Sequence, residues 1–122
     1  MTKITRILIV DDNHSFRKGM HAFLSIQPNL EVIGEAPNGH LAIEIITKLQ
    51  PELVLLDVQM PGMNGIELTR YIKDYWPKTK VIILTMYPEY CSKALEAGAD
   101  SFITKGIPVE QILSSIRETI NS

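Results

Sequence analysis

Cysteine occurs once, at Cys91, so no internal disulfide staples this chain, and a reducing compartment suits it. Apolar runs stop at four or five residues, far short of the ~20 that a membrane-spanning helix needs. Charge of neither sign dominates, since 12 Lys and Arg stand against 14 Asp and Glu, for a formal net charge of −2. No global basic field draws in nucleic acid, and direct nucleic-acid binding by this chain is not expected. The opening stretch MTKITRILIVDD runs into an acidic pair rather than a small-residue cleavage site, so no signal peptide is read there. Gly-rich loops of the P-loop or G-x-G-x-x-G type are absent, as is any Cys/His spacing that would hold zinc. His14, His21 and His40 share no ligand spacing and are read as solvent-facing. Repeats, low-complexity tracts and linkers are missing too. What remains is one domain, 1–122, with a proper core, no membrane association and a cytoplasmic setting.

What is present is an alternation. Short apolar runs predict strands at Arg6–Val10, Glu31–Ala36, Leu53–Leu56, Val81–Leu84 and Ser101–Thr104. Between them lie helical stripes: Phe16, Met20, Phe23, Leu24; then Leu41, Ala42, Ile45, Ile46, Leu49; then Leu68, Tyr71, Ile72, Tyr75. The last stripe is Val109, Ile112, Leu113, Ile116, Ile120, with Pro108 at a plausible first turn. The helix over Tyr90–Glu96 is the weakest, with Cys91, Ala94 and Leu95 to bury. Five βα units imply an α/β fold with a parallel sheet covered on both faces. ILIV, LVLL and VIIL are apolar throughout, as central strands are, whereas EVIGEA and SFIT mix in polar residues, as edges do. The result is a flavodoxin-like, doubly wound (βα)5 sheet in the order 2-1-3-4-5.

Such a sheet binds its ligand beyond the carboxyl ends of the strands, where the strand order reverses. That edge receives Asp11 and Asp12 from strand 1, Asp57 from strand 3, Thr85 from strand 4 and Lys105 from strand 5. Three neighbouring carboxylates repel one another and call for a cation. Their hard oxygens suit Mg²⁺ with retained waters. A nucleophilic carboxylate beside a hard cation, an ammonium and a hydroxyl is an arrangement for phosphoryl transfer. Taken singly, each residue has a plainer reading: Asp11 or Asp12 as a cap for the helix that follows, Thr85 as an edge hydroxyl, Lys105 as a solvated charge. Met60 and Met63 are read as packing the loop, and Trp76 as closing the third helix away from the site.

The motifs VDD (Val10–Asp12), LLDVQMPGMNG (Leu55–Gly65), ILT (Ile83–Thr85) and AGADSFITK (Ala97–Lys105) resemble those of the receiver domains of bacterial two-component response regulators. The resemblance covers essentially the whole chain. It implies that Asp57 is the phosphoacceptor, taking a phosphoryl group from a sensor histidine kinase or a phosphotransfer protein. It also implies that Asp12, Asp57 and the backbone carbonyl of Gln59 bind Mg²⁺, with Asp11 acting mainly through water. Thr85 and Lys105 would hold phosphoryl oxygens, and Thr85 with Phe102 would form the switch. Gln59, Met86 and Tyr87 would tune access of water to the acyl phosphate. The stretch ILTMYPEY, with AGADSFITKGIPVEQIL, looks like the NarL/FixJ branch joined to LuxR-type DNA-binding modules. That implies a transcription-regulator context with the effector outside this chain, and a phosphorylation-dependent homodimer as one outcome. A free-standing receiver acting as phosphorelay intermediate or protein-interaction switch is the alternative.

Two other functions fit less well. Aspartyl-phosphate hydrolases typically carry an acid two residues after the nucleophile, where this chain has Gln59. A flavin carrier on this fold needs a Ser/Thr/Gly-rich phosphate loop after strand 1, where this chain has DDNHSF. Within the resemblance, Phe102 lacks a tyrosine hydroxyl and Met86 stands where a small residue is usual. Gly106 follows Lys105 where the family usually has Pro, often with a cis bond. A cis bond before a non-proline residue costs about 3 kcal/mol, and the sequence leaves that isomer open.

Overall fold

The structure is a computed structural model and describes residues 3–122. Each apolar run forms a strand: β1 (Thr5–Val10), β2 (Leu30–Ala36), β3 (Leu53–Leu56), β4 (Lys80–Thr85) and β5 (Ser101–Thr104). All pairings are parallel and the order is β2-β1-β3-β4-β5. β1, β2 and β4 each begin one residue before the apolar run, and β4 continues through Thr85. Backbone pairing there, as between Thr5 and Leu30, is indifferent to side-chain polarity.

Alternation along the strands sends side chains to opposite faces. Leu8, Val10, Val54, Leu56, Val81 and Ile83 pack on one side, against α2 (Gly39–Leu49) and α3 (Gly65–Tyr75). Ile7, Ile9, Leu53, Leu55, Ile82 and Leu84 pack on the other, against α1 (His14–Ser25) and α5 (Val109–Ile120). The helices start where side chains can cap them. Asn13, Asn38 and Asn64 each accept the N–H three residues on at 2.9 Å, and Glu67 completes a capping box with Asn64.

The weakest predicted helix is the shortest. A 3-10 turn at Pro88–Tyr90 leads into α4 (Cys91–Glu96), where Ala94 is fully buried and Cys91 half-buried. Leu95 was expected to be buried and is 50% exposed. Neighbouring positions on a helix point about 100° apart, and in this six-residue helix Ala94 takes the inward side and leaves Leu95 facing out. Leu41, Leu49, Tyr75 and Val109 lie at the margins of their stripes and are likewise exposed.

One close approach positions the functional edge. A Cβ at Gly65 would collide with the carbonyl oxygen of Asp57 and with Cα of Val58. Glycine therefore lets α3 start directly against the end of β3, where the Gly65 N–H donates to the Val58 carbonyl at 2.8 Å.

Candidate functional site

β1 and β3 are neighbours at the centre of the sheet, so their ends lie side by side. The Asp57 N–H donates to the Val10 carbonyl at 3.1 Å, and the Asp11 N–H to that of Ala36 at 3.0 Å. Oxygens of Asp11, Asp12 and Asp57 all fall within 4.8 Å of one another. Asp11 and Asp57 are buried, at 2% and 6% exposure, while Asp12 faces solvent.

Both buried acids are held at both oxygens. Asp57 accepts the Val58 N–H at 2.6 Å and the Lys105 ammonium at 3.0 Å. Asp11 accepts the Asn13 N–H at 2.9 Å and the same ammonium at 2.7 Å. Helix capping falls to Asn13, so neither acid of the pair is spent on it. Among the described residues, Lys105 is the cation bonded to these carboxylates. Three acids thus face one ammonium, and the hard oxygens could hold a divalent cation.

The electrostatics follow. Burial pushes the Asp11 carboxyl above its usual range, against the hydrogen bonds from Lys105 and Asn13; the charge of Asp57 adds to the rise. Burial alone would depress the Lys105 ammonium, but its bonds to Asp11 and Asp57 outweigh burial and hold it above its usual range. The proton stays on the lysine.

Thr85 ends β4, fully buried, and its carbonyl accepts the Lys105 N–H at 2.7 Å. Its hydroxyl accepts the Tyr87 N–H at 3.4 Å. Met86 and Tyr87 are exposed beyond it, and Tyr87 meets Tyr90 edge-on with ring centroids 6.4 Å apart. Phe102 is half-buried against the core face that α4 covers. A cleft of about 350 Å³ opens beside the acids, lined by Asp12, Val58, Gln59, Met60, Asn64 and Tyr90. Met60 is buried and Met63 half-buried, both packing the loop, and Trp76 closes α3. The Lys105–Gly106 bond is trans, and Gly106 takes a φ of +101°, a conformation that favours glycine.

Three residues have a place at the site that the sequence does not show. The Arg17 guanidinium donates to the Asp11 carbonyl at 2.6 Å, the Phe16 ring stands against Lys105, and Tyr90 walls the cleft. Their signal was position alone: Phe16 and Arg17 fall in the first turn of α1, directly after the acids. His14 and His40 are exposed, as read, but His21 is half-buried and its Nδ1 bonds Glu35 at 2.5 Å. Spacing along the chain carries no sign of this partner, which lies on β2.

Comparison with known proteins gives a consistent result. The family pattern described as response regulator receiver domain matches residues 7–117. The chain is 39% identical over 119 residues to the response regulator protein VraR of Staphylococcus saprophyticus, covering 96% of this chain and 57% of VraR. It therefore spans little more than half the length of that relative. A two-component response regulator of the LuxR family from an Aurantimonas species superposes with a TM-score of 0.92 at 29% identity, over 98% of this chain and 86% of that one. A DNA-binding response regulator of the LuxR family from Staphylococcus aureus gives a TM-score of 0.90 at 28% identity, over 96% and 99% of the two chains.

Proposed function

Because the chain belongs to the response regulator receiver family, in its NarL/LuxR branch, we propose that it is a switch driven by phosphorylation of Asp57. The observation that carries this reading is the state of that carboxylate: buried at a strand end, with one oxygen on a backbone N–H and the other on Lys105. A carboxylate oxygen of Asp57 attacks the phosphorus of a phosphohistidine on a sensor kinase or phosphotransfer protein. The P–N bond breaks, its electron pair leaves with the imidazole nitrogen, and an acyl phosphate remains. Lys105 and the Thr85 hydroxyl receive phosphoryl oxygens. Asp11, Asp12, Asp57 and the backbone carbonyl of Gln59 would hold Mg²⁺, Asp11 mainly through water, and the ion supplies neutralisation of charge on the transferring group.

The output runs through the segment 86–97, where α4 buries little apolar surface, as in elements that move. Thr85 drawn towards the phosphoryl group leaves space that Phe102 fills, biasing an existing equilibrium by about 1–3 kcal/mol. The effector is a DNA-binding module outside this chain, in keeping with the LuxR-family relatives, and a phosphorylation-dependent homodimer belongs to the same output. The setting is cytoplasmic; no helix among the described residues is long and apolar enough to cross a membrane.

The experiment is intact mass after incubation with a small phosphodonor and MgCl2. The parent gains one phosphate and Asp57→Asn gains none, while hydrogen exchange in the same samples changes most over 86–97. An Asp57→Asn variant that gains an equally acid-labile phosphate overturns the assignment.

A further inference from the structure

An ammonium has three N–H donors around its end. On Lys105 two of its sides are accounted for by Asp11 Oδ2 at 2.7 Å and Asp57 Oδ2 at 3.0 Å. On another side Nζ stands 4.1 Å from the centroid of the Phe16 ring, which the first turn of α1 brings over the strand ends. We infer that Phe16 is a positioning residue for phosphoryl transfer: its ring face holds the Lys105 ammonium in register while the charge on Asp57 is consumed.

The physical case rests on what an uncharged aromatic face can do that other groups cannot. Lysine is a point charge on a flexible stem, and fixing it costs rotamer freedom. An aromatic face carries negative potential and attracts a cation more strongly once water is excluded. The Lys105 side chain is only 10% exposed, so the contact is largely dry. As the Asp57 oxygen bonds to phosphorus and the donor's bond to phosphorus breaks, Lys105 exchanges an Asp57 contact for a phosphoryl oxygen. Asp11 and the ring remain as its fixed points through that exchange. A further carboxylate in place of the ring would also restrain the ammonium, but it would repel the incoming phosphate. Phe16 restrains it without adding charge.

Phe16 also packs, half-buried, against the core face shared with α1 and α5. The test must therefore separate the ring's electrostatics from its bulk. Replacement of Phe16 by mono-, di- and pentafluorinated phenylalanines keeps the shape and progressively weakens the negative face. The rate of phosphate gain from phosphoramidate with excess MgCl2 should fall stepwise, to about 5-fold below the parent, with the urea midpoint of folding unchanged. Phe16→Tyr should stay within about twofold of the parent, and Phe16→Leu should be as slow as the most fluorinated ring. The inference rests on the phosphoacceptor reading, and the two fail differently. A parent that gains no phosphate overturns that reading together with the inference. A parent that gains phosphate at a rate indifferent to fluorination, matched by Phe16→Leu, overturns the inference alone. The ring-current shift of the Lys105 Cε protons, present in the parent and lost in Phe16→Leu, reads the contact without any phosphate; no shift in the parent likewise overturns it.

Discussion

Asp11 and Glu35 sit on either side of one arginine, and their surroundings treat them oppositely. Glu35, on β2, accepts Arg17 Nε at 3.2 Å, Lys18 Nζ at 3.2 Å and His21 Nδ1 at 2.5 Å. Burial alone would raise its carboxyl, but those three partners outweigh burial and hold it below its usual range. Asp11 shares one ammonium with Asp57, has Asp12 nearby, and is pushed up by burial. Arg17 spans the two, with Nε on Glu35 and Nη1 on the Asp11 carbonyl. It places a positive charge beside the acids without cancelling them, because Glu35 already occupies it. A carboxylate surrounded by cations is finished as it stands and serves the fold. One left short of positive charge is completed by something that arrives.

The comparison breaks most visibly at Glu35. Glu35→Gln leaves Arg17, Lys18 and His21 facing one another and should lower stability by about 1–2 kcal/mol at neutral pH, a figure discounted because Lys18 and His21 reach solvent. The urea midpoint measures it; a variant as stable as the parent removes the claim that this cluster is structural. Phosphate gain at Asp57 should stay within about twofold in the same variant, since the Asp11 carbonyl keeps its Arg17 donor. The opposite sign is expected at Asp12, where removing a like charge relieves repulsion. In EDTA, Asp12→Ala should be more stable than the parent by about 0.5 kcal/mol. Excess MgCl2 should reverse the order, because an ion bound to the folded parent stabilises it by mass action. A variant less stable than the parent in EDTA would show that the acids do not repel at a cost to the fold.

How the two clusters were legible differs as much as their charge. Asp11, Asp12, Asp57, Thr85 and Lys105 could be found because each terminates a strand that its own composition identifies, and ILIV, LVLL and VIIL fixed which strands are central. The Glu35 cluster could not, because it depends on the phase of α1 against β2. That phase is set by the cap at Asn13, and a one-residue change would turn Arg17 and His21 away. Phe16 was on the predicted stripe of α1, but its partner Lys105 lies at the other end of the chain and meets it only through the sheet order β1-β3-β4-β5. Leu95 was misread for a related reason. Its helix is six residues long, under two turns, and too short for periodicity to say which residue faces in.

The finest test of the contrast is the sign of a pH slope. Glu35 has a folded pKa below its ordinary value of 4.5. Its contribution to stability is present above that value and is lost as pH falls through the folded pKa, where the native carboxylate takes up its proton. Asp11 has a folded pKa above its ordinary value of 3.8. The native state then binds the proton more readily than the unfolded chain, so stability is lost as pH rises from 3.8 through the folded value. Urea unfolding in EDTA at acid pH, from about 3 upward, avoids the range in which histidines ordinarily titrate. Groups remote from the substituted carboxylate cancel in the difference between parent and variant. As pH rises over this window, Glu35→Gln should become progressively less stable relative to the parent. Asp11→Asn should become progressively more stable relative to it, whatever the absolute gap left by its altered contact with Lys105. Slopes of the same sign in both variants would mean that the two carboxylates are held alike, and the distinction between a finished cluster and an unfinished one would fall.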